Sequence, residues 1–223
     1  MRIVRLVLWA LVIIVGATTA GVWVGKTYLV PEGQPAASNN IAAAFSRSRY
    51  EDAGGPFSLT DTSGNTVTAD DLRGKPVAFF FGFTHCPDVC PTALLDAATW
   101  LKELGEDAEK LNIVFVSVDP EQDRPENLGA YVKAFDQRII GLTADTPEEI
   151  RDVAERYNVK FEKVPLQSGG YTMNHTSDTL LFDADGKFVD YIPFLSPQMR
   201  QNTEVLEAQE AQTMQALRSL ISG

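Results

Sequence analysis

The chain has 223 residues, two cysteines, two histidines and a formal net charge of −11 at neutral pH. That length suits one domain of ordinary size with appendages. The acidic balance argues against nucleic acid as a partner, because phosphates are met by a basic surface.

Arg2 and Arg5 precede an uncharged run, residues 6–25. As a helix those residues would be about 30 Å long, the thickness of a bilayer's hydrocarbon core. The arginines assign residues 1–5 to the cytoplasm and the remainder to the far side, where Trp23 and Tyr28 suit the interface. The small residues Ala17 to Ala20 would also suit a cleavable signal peptide. The apolar run continues through Val22, Trp23 and Val24, longer than a usual signal core, so an uncleaved anchor is preferred. The expected location is therefore the cell inner membrane, single-pass, with the soluble domain on the periplasmic side. In such an oxidising compartment a cysteine pair is oxidised unless something keeps it reduced.

Residues 26–55 read as a flexible tether, being rich in Gly, Pro, Ala, Ser and Asn without sustained periodicity. The domain proper is assigned to residues 56–223. It opens on a hairpin with its turn at Thr62 to Asn65, followed by a strand, residues 77–83, apolar enough to be buried on both faces. A helix is expected over residues 92–109, with Leu94, Leu95, Ala98, Leu101 and Leu104 facing a core. A second buried strand spans residues 113–118. Pro125 opens a helix to about Phe135, and residues 139–143 form a short strand. Thr146, Pro147 and Glu149 start another helix, to about Tyr157. Residues 159–171 read as irregular. Asp183 to Lys187 mark a hairpin turn between strands at 179–182 and 188–192, and one helix is expected from about Pro197 to Ser222. Alternating strands and helices closed by a hairpin and a helix define an α/β fold, a central mixed sheet flanked by helices. The order, with a cysteine pair at the first strand-to-helix turn, resembles the thioredoxin fold.

Cys86 and Cys90 lie at that turn, between Phe83 and Thr92. In helical geometry residues four apart share a face, so both sulfurs point the same way, and a helix N-terminus favours thiolate. Such a pair can form a disulfide, attack one, or hold a soft metal. A disulfide across so short a gap restricts the unfolded chain little, which disfavours a purely structural role. His85 adjoins Cys86 and reads as part of the exposed loop. His175 precedes the strand at Thr179. In a thioredoxin-like sheet that loop passes over the cysteine turn, bringing the imidazole beside Cys86 and Cys90. Two thiolates and an imidazole suit Cu(I) above all, with Cu(II) and Zn(II) also compatible; structural zinc normally takes four protein ligands.

The run from Gly82 to Pro91, the stretch Val118 to Asp123, the segment from Phe135 through Thr143, and His175 together resemble the Sco/SenC family, membrane-tethered assembly factors for the copper site of cytochrome c oxidase. The resemblance implies that Cys86, Cys90 and His175 are copper ligands and that Asp119 and Asp123 belong to an acidic loop shaping the site. It implies a metallochaperone, not an enzyme, which carries Cu(I) or Cu(II) to a subunit of a terminal oxidase. A thiol reductant and other copper chaperones would be further partners. The alternative is a membrane-anchored thiol-disulfide oxidoreductase, with Cys86 and Cys90 as the redox pair reducing the cysteines of the oxidase copper site. The three-residue spacing favours the chaperone, since thioredoxin-like redox motifs use two. The residues after 195 extend beyond the family's expected form and carry no functional reading.

Overall fold

In the strand β3 (Val77–Gly82) all six residues are buried, as its unbroken apolar sequence requires. The structure, a computed structural model, describes residues 48–223; the expected cytoplasmic segment, the anchor at 6–25 and most of the tether lie outside the described residues. Among the described residues no helix is long and apolar enough to cross a membrane.

β1 (Ser58–Asp61) and β2 (Thr66–Thr68) form the expected N-terminal hairpin. β4 (Asn112–Ser117) pairs parallel to β3, and β5 (Ile140–Thr143) parallel to β4. β8 (Thr179–Phe182) and β9 (Phe188–Ile192) close the sheet antiparallel. The seven strands run β2-β1-β5-β4-β3-β8-β9, a mixed sheet. Helices α1 (Val89–Leu104), α2 (Pro125–Lys133) and α3 (Pro147–Arg156) make the crossovers. A βαβ unit followed by a ββα unit around the neighbouring strands β4-β3-β8-β9 is the thioredoxin-like arrangement expected from the sequence.

α1 begins three residues earlier than expected and gives way to a 3-10 segment, Gly105–Lys110. Pro91 does not delay the helix, because a first-turn N–H has no intrahelical partner to lose. Leu95, expected to face the core, is exposed, while Ala93, Ala97 and Trp100 are buried instead. Residues 159–171, expected to be irregular, contain β6 (Phe161–Pro165), which pairs with β7 (Tyr171–His175) in a separate two-stranded sheet. The single C-terminal helix is two, α4 (Pro197–Arg200) and α5 (Thr203–Ser222). Asn202 restarts the helix by accepting from the N–H groups of Glu204 and Val205.

Aromatic side chains fill the space between sheet and helices. Phe79 packs edge-on against Phe57, Tyr157 and Phe182 at centroid distances of 6.1, 5.3 and 5.5 Å. Tyr50 and Ala53, within the expected tether, are buried in the same core. Tyr50 sits between Phe188 and Tyr191, and its hydroxyl donates to Asp178 at 2.8 Å.

Candidate metal centre

β3 ends at Gly82 and α1 begins at Val89, so Cys86 lies in the connecting loop and Cys90 in the first turn of the helix. The helix N-terminus acts on the loop directly, because the N–H of Cys90 points at Cys86 Sγ, 3.4 Å away. Cys86 is half-buried and Cys90 fully buried, and both are free thiols. Gly82 makes room for the inner sulfur: a Cβ there would lie 2.7 Å from Cys90 Sγ and 2.9 Å from the Phe115 ring.

His175 ends β7 and is carried over the cysteine turn as expected. Its Nε2 lies 3.4 Å from Cys90 Sγ, and the ligand atoms of Cys86, Cys90 and His175 all fall within 4.8 Å of one another. The ring is set edge-on to Phe83 and Phe80 at 5.7 and 6.1 Å. Its Nδ1 is 2.8 Å from the carbonyl oxygen of Thr176. A carbonyl only accepts, so Nδ1 carries a proton, and Nε2 is the ring atom turned toward the sulfurs.

A hydrogen bond from the Cys90 thiol, helped by His175 and by the N–H of Cys90 and opposed by burial, pulls the Cys86 thiol down to about 3. Burial, then the neighbouring Cys86 sulfur, pushes Cys90 the other way. The proton of the thiol pair therefore resides on Cys90, beside the Cys86 sulfur and 3.4 Å from His175 Nε2. A thiophilic cation could replace that proton and be held by all three atoms, so the donor set fits a soft metal. Nearby, the buried Tyr131 hydroxyl has no hydrogen-bond partner among the described residues. Its pKa is raised by burial and by Cys90 and Cys86.

The acidic loop after β4 is tied to this turn through residues that sequence reasoning did not single out. Asp123 is buried, yet its carboxylate accepts from the Ser117 hydroxyl at 2.6 Å, the Thr84 hydroxyl at 2.5 Å and the Thr84 N–H at 3.0 Å. Burial raises its pKa, and those three donors oppose the rise. Asp119 accepts from the Tyr171 hydroxyl at 3.0 Å, linking the loop to the strand that carries His175. Lys163 of β6 lies 4.2 Å from the Tyr171 ring centre and pairs with Glu121. Thr84 could have been suspected from its place beside the cysteines; Ser117 and Tyr171 carry no local signal.

A thioredoxin-like sheet whose first strand-to-helix turn meets a histidine in this way defines a thiol-rich metal or redox centre. The SCO1/SenC family matches residues 46–210, and the chain belongs to that family. It is 40% identical over 139 residues to Protein SCO1 homolog 1, mitochondrial, of Arabidopsis thaliana, covering 62% of this chain and 41% of that protein. Against the human Protein SCO1 homolog, mitochondrial, identity is 40% over 148 residues, covering 62% of this chain and 46% of the relative. The chain thus spans under half the length of these relatives. A solved structure of Bradyrhizobium japonicum ScoI with copper bound is 43% identical, with a TM-score of 0.61 over 70% of this chain and 98% of that one.

Proposed function

We propose that this protein is a copper-carrying metallochaperone in which Cys86, Cys90 and His175 hold the ion. The observation that carries the reading is the convergence of two sulfurs and one imidazole nitrogen within 4.8 Å. Support comes from membership of the SCO1/SenC family and from the copper seen in the Bradyrhizobium ScoI structure. Three ligands of this softness suit Cu(I), and among the described residues no fourth cysteine, histidine or carboxylate joins them, which leaves room for an acceptor to approach. The family resemblance assigns the acceptor to a subunit of cytochrome c oxidase. The uncharged run at residues 6–25 would tether the protein to the inner membrane, with residues 26–55 as linker and the domain on the periplasmic side.

The test is copper stoichiometry and absorption spectrum on the reduced full chain in detergent, wild type beside His175→Ala. One copper per chain, weakened or spectrally altered by the substitution, supports the reading; no specific copper uptake by the wild type overturns it.

A second reading has its own observation. The opposite shifts of Cys86 and Cys90 make a half-exposed thiolate beside a buried protonated partner, the division of labour of an attacking and a resolving thiol. If disulfide exchange is the principal activity, His175→Ala keeps it and Cys86→Ser or Cys90→Ser abolishes it.

A further inference from the structure

Alternate residues of a strand face the same way, so Tyr171, Met173 and His175 of β7 form one inward row. Met173 is buried in the core, and His175 meets Cys90 at 3.4 Å. At the far end of the row, the Tyr171 hydroxyl donates to Asp119 at 3.0 Å. Lys163 of β6 stands opposite Met173 on the same face, and its ammonium lies over the Tyr171 ring and pairs with Glu121. The strands β6 and β7 pair only with each other, and Thr176 closes their base by donating its N–H to the Lys160 carbonyl at 2.9 Å. Beyond His175 itself, the side-chain hydrogen bonds from these two strands to the rest of the described residues all end on the acidic loop, at Asp119 and Glu121. The two attachments are unequal. Lys163 and Glu121 are both exposed, and an ion pair in that setting contributes little. Asp119 is buried and held from the other side by Gln122 Nε2 at 3.1 Å, so losing the Tyr171 hydroxyl leaves a buried acceptor short of a donor.

We propose that the hydrogen bond from Tyr171 to Asp119 is the latch that keeps His175 on the copper ion, which makes Tyr171 and Asp119 positioning residues for its retention and release. The proposal rests on the copper-carrier reading. With the latch closed, one end of the row is fixed to the acidic loop and the other presents Nε2 to the site. With it open, the two strands lift as a unit about their closed base, and Met173 leaves the core as His175 leaves the ion. In that step the bond from copper to Nε2 breaks and its electron pair stays on the nitrogen. Cys86 and Cys90 keep the ion, its charge is unchanged and no electron moves. An ion left on two sulfurs has a position open for the acceptor's own ligand.

The test uses Tyr171→Phe, which keeps the ring and removes only the hydroxyl, in the reduced full chain in detergent. Loaded with Cu(I), the variant should release the ion to the chelator bathocuproine disulfonate about tenfold faster than wild type. The acceleration should vanish in a His175→Ala background, where the latch has no ligand left to hold. A second measurement needs no copper. Peroxide oxidation of the metal-free protein, read by peptide mass spectrometry, should convert Met173 about tenfold faster in Tyr171→Phe. Met214, buried elsewhere in the core, and the exposed Met199 should oxidise as in wild type. Unchanged release and unchanged Met173 oxidation overturn the proposal. So does equal acceleration at Met214, which would mean general loosening, and so does the same gain in release without His175. Failure of the copper-carrier reading shows differently, as wild-type protein that takes up no specific copper while Met173 still responds to the loss of the hydroxyl.

Discussion

Thr84 is held to Asp123 twice, by its backbone N–H at 3.0 Å and by its hydroxyl at 2.5 Å. The acceptor is a buried carboxylate, a costly group to place in a core unless its oxygens are occupied. Here the cost fixes the entry of the cysteine loop against the loop that follows β4. The second carboxylate of that loop, Asp119, takes the Tyr171 hydroxyl, so the strand leading to His175 is referenced to the same short stretch of backbone. All three candidate ligands are thus positioned from one loop that holds none of them.

Asp123→Ala leaves two hydroxyls and one N–H without their acceptor. A destabilisation of about 1–3 kcal/mol is expected, read by urea denaturation of the metal-free protein. Copper affinity should fall with it, because Cys86 follows Thr84 by two residues. Asp123→Asn keeps one acceptor oxygen and should recover part of both losses.

The thiol pair gives a pH signature. Cys86 is held down to about 3, so it is thiolate at neutral pH, whereas Cys90 is held up by burial. Iodoacetamide should therefore label Cys86 first, at a rate nearly flat between about pH 5 and 8, where a free thiol's rate falls tenfold per unit. Stability follows the same sign. A depressed folded value contributes stability that is complete above the unfolded thiol's value, about 8.5, and is lost as pH falls toward the folded one. Cys90 is protonated in both states throughout that range and leaves it untouched. The stability advantage of reduced wild type over Cys86→Ser should consequently grow from acid pH up to about 8.5, as measured by denaturation at several pH values.

The parts of the fold visible in the sequence are those written locally. Val77–Gly82 is apolar at every position but its terminal glycine, and Asp183 to Lys187 spell a turn between two short strands. The convergence of His175 on the cysteines was legible because the order of strands dictates which loop crosses which turn. β6 and β7 were not legible. Most of β6 is exposed, and the two strands are held by pairing with each other, which leaves no alternation of polar and apolar residues to read. The Thr84–Asp123 tie was hidden for another reason: its partners stand 39 residues apart, and each alone resembles an ordinary loop residue.

Gly82→Ala tests how closely the inner sulfur is packed. The added Cβ would meet Cys90 Sγ at 2.7 Å, the Phe115 ring at 2.9 Å and the Phe80 ring at 3.0 Å. Both rings and the sulfur lie in a close-packed core, so the strand or the helix must move. A cost of about 1–3 kcal/mol is expected, together with weaker copper binding, because the displaced atom is a candidate ligand. Unchanged stability and affinity would mean that the turn yields more readily than its packing implies.

Tyr50 tests where the folded unit begins. It precedes residue 56, the start assigned from composition, yet its side chain is 0% exposed, with Phe188 at 5.8 Å and Tyr191 at 5.6 Å between ring centres. Its hydroxyl reaches Asp178, three residues beyond His175, so the end of the tether and the ligand-bearing loop share a contact. Tyr50→Phe keeps the ring and loses only the hydrogen bond, at about 0.5–1.5 kcal/mol. Tyr50→Ala also removes the ring from the core, and the expected loss rises to the range of aromatic truncations, about 3–5 kcal/mol. A linker residue merely resting on the surface would give less than about 0.5 kcal/mol for either change. Urea denaturation of the two variants distinguishes these outcomes. A large loss for alanine with a small one for phenylalanine would extend the folded unit back to Tyr50 and make the last residues of the tether part of the scaffold behind His175.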